Sequence, residues 1–215
     1  RLDADPGNDG YGGWIIDTDP YTVLSWFSAF GGDVVEEEVY HFSSDENLAA
    51  LAFMKSLYDG NCAYLSTEPN PYLSFANRSG IFATVNMGEL GMMEETLALA
   101  GNREDWTVLP FPGDEPALVT FGPSYNLLKS NDTEQLAAWL FVRWLLSLEN
   151  QAEWARTTGL FPLRTASLDL LADARAAHPQ WGAAVDLLPF AEGVPQRESW
   201  RQVRYVLGDG LSYLF

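Results

Sequence analysis

The stretch from Gly122 to Arg164 constrains this chain most. Asn131 stands where a helix N-cap is favoured, and Glu134 three residues on has the spacing to complete a capping box. Leu136, Leu140, Phe141, Trp144, Leu145 and Leu148 follow at three- and four-residue intervals. That periodicity predicts one long amphipathic helix running through Trp139, Trp144 and Trp154, with its stripe turned to a core. Gly159 supplies a left-handed C-terminal residue, and Pro162 forbids continuation.

Composition narrows what such a chain does. A net charge of −18 over 215 residues excludes nucleic acid and anionic membrane as natural partners, because phosphate binding needs clustered Lys and Arg. It favours a neutral or cationic ligand over a bare anion. Cys62 is the only cysteine, so neither an intrachain disulfide nor a multi-thiolate metal site can form. No run reaches the ~18 apolar residues of a membrane span. The chain opens on Arg1-Leu2-Asp3 without a leader pattern and stops on the apolar Tyr213-Leu214-Phe215, so both ends are expected to be cuts in a longer polypeptide.

Short predicted strands alternate with helices, which points to α/β architecture with a short mixed sheet flanked by many helices. Residues 1–13 read as a flexible polar segment and Trp14–Ile16 as a short apolar run. A helix starts at Pro20 and stops at Gly31-Gly32; Val34 to Phe42 reads as one edge strand carrying three glutamates. Ser43-x-x-Glu46 caps a second helix through Tyr58, closed by Gly60. Asn70-Pro71 opens a short helix, Ile81 to Asn86 is a buried strand, and Glu89 to Ala100 is helical. Trp106–Leu109, Ala117–Phe121 and Tyr125–Lys129 are three further expected strands, around the hard turn Pro110–Gly113 and Gly122-Pro123. Ser167–Ala177 and the segment through Trp200, Val203 and Leu207 complete the helices.

No motif singles out an enzyme or a cofactor. HExxH, paired CxxC, GxGxxG, the phosphate-binding GxxxxGK[ST] and Gly-x-Ser-x-Gly are all missing. His41 and His178 are far apart, so no catalytic residue, metal site or cofactor is expected. Aromatic surface is plentiful instead: Trp14, Tyr125, Trp154, Trp181 and Trp200 lie at predicted element ends or beside Gly and Pro, positions from which side chains commonly contact ligands.

The order Phe75-x4-Gly80-x-Phe-Ala83-x3-Met87-Gly88, then Val108-Leu-Pro-Phe-Pro-Gly113, Ser147 to Trp154, Thr158 to Arg164 and Glu198-Ser-Trp200, resembles the extracellular solute-binding proteins of ABC importers. The maltose-binding-like group is the nearest class. The resemblance implies a periplasmic-binding-protein-like (type II) lobe, residues 1–215 being a single C-terminal-type lobe of a two-lobe protein. It implies a solute gripped between lobes, a sugar or oligosaccharide first and a polyamine, peptide or other polar solute as the alternative. A carbohydrate-active enzyme domain with an acidic pair is the rival from another class. The implied partners are an ABC permease and the missing N-terminal lobe, and the implied location is extracytoplasmic, with a lipid anchor. Carried over position by position, the ligand contacts are Gly88, Glu89 and Leu90 after the Met-Gly step, Gly122, Ser124 and Tyr125, and Trp200 as the stacking residue, with Trp14 added. Leu90 stands where sugar binders commonly carry Trp.

Overall fold

The structure is a computed structural model describing residues 10–66, 71–114, 116–122 and 124–215. Most of the expected flexible segment 1–13, together with Asn70 and Pro123, lies outside the described residues.

The centre is a three-stranded parallel sheet. Strand β1 (Trp14–Ile16) leads into helix α1 (Pro20–Ala29). A hairpin of β2 (Val35–Glu36) and β3 (Val39–Tyr40) follows, then α2 (Asp45–Asp59), β4 (Ala63–Leu65), α3 (Tyr72–Ala76) and β5 (Phe82–Ala83). The sheet order is β4-β1-β5, with Trp14 opposite both Ala63 and Phe82, so β1 is paired on both edges. Its three residues are all buried, as a central parallel strand requires.

After β5 come a 3₁₀ turn (Met87–Glu89), α4 (Leu90–Leu99) and β6 (Leu118–Thr120). Two helices, α5 (Asp132–Leu145) and α6 (Leu148–Thr158), occupy the place of the single long helix. A 3₁₀ segment (Thr165–Leu170), α7 (Ala172–Ala177), α8 (Pro179–Val185), β7 (Ala191–Gly193) and α9 (Trp200–Ser212) finish the chain. β7 returns to pair in parallel with β6. Strand structure is thus spread over three small sheets.

Local chemistry sets these boundaries. Asp19 caps α1 by accepting a 2.8 Å bond from the Tyr21 amide, and Pro20 needs no amide partner at the first helical position. Nearly every side chain of α1 from Thr22 to Ala29 is buried, because the helix is enclosed by the sheet, α2 and α9. Trp26 is its hub, edge-on to Trp14 at 5.1 Å and to Phe111 at 5.3 Å. Burying a side chain such as Phe27, 1% exposed, stabilises the fold by ~2–3 kcal/mol.

Four expectations are corrected. Val34 to Phe42 is not one strand: Glu37 and Glu38 take φ of 43° and 71° and reverse the chain as a tight hairpin turn. The cap of α2 is Ser44, accepting from the Asn47 amide at 3.2 Å, one residue past the expected Ser43. Asn131 does cap α5, with the Glu134 amide at 3.0 Å, but the Glu134 carboxylate turns to the Ser130 hydroxyl. The long helix breaks at Leu146-Ser147, where Ser147 caps α6 through the Asn150 amide. Buried Gln151 fixes that break, donating to the Leu145 carbonyl and accepting from the Leu163 amide.

The stripe on α5 is also not a core. Leu136, Trp139, Leu140, Phe141 and Trp144 are each at least half exposed, and no residue of α5 is buried. Trp106–Leu109 and Tyr125–Lys129 run without a strand partner among the described residues.

Candidate functional site

In open parallel sheets, ligands collect in the crevice beyond the carboxyl ends of the strands. Here that edge is built by Asp17 to Asp19 after β1 and by Asn86 to Glu89 after β5. Asp17 accepts the Asp19 amide at 3.0 Å and the Thr22 hydroxyl at 3.5 Å, which holds the loop against the first turn of α1. Partial burial pushes the Asp17 carboxyl above its ordinary value of 3.8, and the charges of Asp19 and Glu89 add to that. Asp19 is raised as well, first by the protein crowding around it and then by Glu89, although Arg204 opposes the shift.

Glu89 is positioned from two elements. Its Oε2 accepts from the Tyr72 hydroxyl of α3 and from the Asn86 side-chain amide. Tyr72 is 4% exposed. Burial, reinforced by the Glu89 charge, raises its phenol so far that it stays a donor across the accessible pH range. The carboxylate is held in one orientation before any ligand arrives.

The cation comes from the far end of the chain. Arg204 on α9 donates to the Tyr21 hydroxyl at 2.5 Å and to the Tyr205 hydroxyl at 3.1 Å, and lies over both rings. Helix α9 reaches the β1–α1 loop because Gly208 packs on it. A Cβ at that position would stand 3.2 Å from the Thr18 carbonyl oxygen. Tyr21 in turn stacks flat on Phe121, ring centroids 3.8 Å apart, and Phe121 keeps 47% exposure.

Three carboxylates, a guanidinium and an aromatic pair therefore share one edge. Such a set accepts hydrogen bonds from hydroxyls or ammonium groups and offers a flat apolar face. Among the described residues, no group of three or more His, Cys, Asp and Glu is arranged to hold a metal ion. An open groove of about 500 Å³, walled by Asp33, Glu36, His41 and Glu46, lies instead at the hairpin and the start of α2.

Of the residues expected from sequence, only Glu89 lies in this cluster. Gly88 is exposed beside it, where a Cβ would meet Leu160 at 3.6 Å, so the Met-Gly step and the Gly159-Leu160 loop are neighbours. Leu90 is 5% exposed in the core beneath. Gly122, Ser124 and Tyr125 are exposed on the run leaving Phe121. Trp200 is 5% exposed and stacks on Tyr40 at 6.3 Å; Trp14 is 7% exposed against Trp26. Asp17, Asp19, Tyr21 and Arg204 went unread, although Asp-x-Asp-Pro-Tyr directly after an apolar strand was a legible signal.

Comparison with known proteins gives the fold and the family. A search of curated proteins found no significant sequence match. Among solved structures, the sugar-binding protein MalE of Xanthomonas citri is similar, with 19% identity, a TM-score of 0.78, and coverage of 95% of this chain and 54% of that one. The cyclic alpha-maltosyl-1,6-maltose binding protein of Arthrobacter globiformis matches at 19% identity and a TM-score of 0.75, covering 96% and 56%. UgpB of Mycobacterium tuberculosis, solved with glycerophosphocholine, matches at 18% identity and 0.70, covering 97% and 54%. This chain thus spans about half the length of the solved proteins it matches, and the shared fold is that of type II periplasmic binding proteins. Residues 2–186 match the family described as bacterial extracellular solute-binding protein, a family of solute binders rather than enzymes, and the chain belongs to that family.

Proposed function

We propose that this chain forms one wall of an extracytoplasmic solute site and that the solute is a sugar or oligosaccharide. The observation carrying the reading is the grouping of Asp17, Asp19 and Glu89 with Tyr21 and Arg204 at the carboxyl edge of the sheet. Sugar hydroxyls are donors and acceptors at once, so rigid carboxylates and an arginine satisfy them in pairs, while the Tyr21–Phe121 face takes the apolar side of the ring. The solute would be held between this wall and chain supplied by a second lobe, then presented to an ABC permease. No helix of the described residues is long and apolar enough to cross a membrane.

A second reading keeps the site and changes the solute to an organic cation. It is favoured by the crowding of Asp17, Asp19 and Glu89 on one edge, with Arg204 acting on Asp19, and by the −18 net charge. Calorimetric titration of the complete protein with maltooligosaccharides, monosaccharides and choline-type cations decides between them. Saturable sugar binding lost in Glu89→Gln supports the first reading; binding of the cations alone replaces it with the second. Turnover of a sugar without any permease would overturn both.

A further inference from the structure

The carboxyl edge of the sheet carries more negative charge than it neutralises. Among the described residues, none of Asp17, Asp19 and Glu89 belongs to a salt bridge. Arg204, whose charge opposes them at Asp19, directs its donors to the phenols of Tyr21 and Tyr205 instead. Glu89 has capacity to spare. Both of its donors, Tyr72 and Asn86, fall on Oε2, and Oε1 receives none among the described residues. A crevice that sheds water around surplus carboxylates gains by taking in a cation that donates hydrogen bonds.

Two features set the chemistry of that cation. The groups waiting for it are acceptors, which an ammonium with N–H bonds satisfies and a quaternary ammonium, having no donor, does not. A quaternary ammonium is held in a cage of ring faces. Here Tyr21 gives one face to Phe121 and has the Arg204 guanidinium over its ring, so the stacked pair presents the outer side of Phe121, 47% exposed. One flat face fits the apolar side of a sugar ring. We infer that the solute is an amino sugar, its free primary ammonium among Asp17, Asp19 and Glu89 and its ring on Phe121. The inference rests on the sugar reading and adds a charge to it. A neutral sugar would leave the surplus carboxylate charge unpaired, and a simple amine would leave the Phe121 face uncovered.

The test is calorimetric titration of the complete protein with matched pairs: glucosamine against glucose, galactosamine against galactose, and deacetylated chitobiose against cellobiose. The N-acetyl forms serve as uncharged amide controls. At about pH 6, where the amine is protonated, the amino member of at least one pair is expected to bind about ten- to a hundredfold tighter. Asp19→Asn retains a good helix cap and removes the charge, so it should draw the two affinities of that pair together. Its unfolding midpoint should stay within ~2 °C of the parent, and Asp17→Asn is read in the same way where it does not. Equal or tighter binding of the neutral members overturns the inference and leaves the sugar reading standing. A preference for the amine that both variants leave intact also overturns it. Binding of no sugar in either form removes the sugar reading and the inference together.

Discussion

Arg204 donates a 2.5 Å hydrogen bond to the hydroxyl of Tyr21, a residue 183 positions earlier in the chain. The bond exists because Gly208, one helical turn further along α9, lets that helix rest on the Thr18 carbonyl. A single missing Cβ thus sets where the guanidinium stands over Tyr21 and Tyr205. Arg204 Nε is buried without a partner, while Nη1 and Nη2 are spent on the two tyrosines. The group is held by aromatic hydroxyls rather than by a neutralising carboxylate.

Arg204→Ala is expected to weaken solute binding by about ten- to a hundredfold if, as proposed, the guanidinium serves the solute as a charged donor. Arg204→Lys recovers only part of it, because an ammonium cannot serve Tyr21 and Tyr205 as a planar fork. Calorimetric titration of the complete protein measures both. Unchanged affinity in Arg204→Ala removes the arginine from the site.

Asp17→Asn separates stability from binding. A carboxyl raised above 3.8 in the folded state binds protons more tightly there than in the unfolded chain. Its contribution to stability is therefore greatest below 3.8 and declines as pH climbs through the raised value. Neutral Asn lacks that decline, so Asp17→Asn should raise the unfolding midpoint at pH 7 and leave it nearly unchanged at pH 3. Solute affinity falls at pH 7 in the same variant. Thermal scans at the two pH values check the sign.

Gly113 sits where a Cβ would stand 2.0 Å from the Ala29 carbonyl oxygen and 2.5 Å from its carbon. Backbone cannot yield as a flexible side chain does. Gly113→Ala should cost ~1–3 kcal/mol or more, read as a lower urea midpoint. Gly122, with nothing within 4 Å of its Cβ position, is the matched control.

Asn47 is fully buried and donates from Nδ2 to the Asp33 carbonyl at 2.8 Å and the His41 carbonyl at 3.3 Å. It ties both ends of the β2–β3 hairpin to α2. Asn47→Ala strands two carbonyls and should cost ~1–3 kcal/mol. Faster amide exchange in 34–41 would localise the loss to the hairpin.

Much of this fold could be read from residues in isolation. Asp19-Pro20 opens α1, Asn131 caps α5, and Gly159 closes α6 with φ +72°, all from local chemistry. What escaped reading depends on partners. Glu37 and Glu38 adopt positive φ without glycine, which no propensity announces. Leu136 to Trp144 have the period of a buried stripe and stay in water, because periodicity records what a helix is built to meet and not whether it is present. The site was harder still. Asp19 reads only as a helix start, and Asp17 and Arg204 carry no pattern of their own; the tertiary approach at Gly208 brings them together. Trp200, a large aromatic at a helix start, is 5% exposed with its ring packed in the main core.

The Gly208 contact also bears on how the protein is made. Synthesis delivers Tyr21 183 positions ahead of Arg204, so Asp17 and Asp19 beside it wait for their cation until α9 has emerged. Any product ending before α9 would carry the acidic edge without its counter-charge and with the cover of α1 stripped away. For this molecule, the acidic edge and its arginine come together only once α9 has been made.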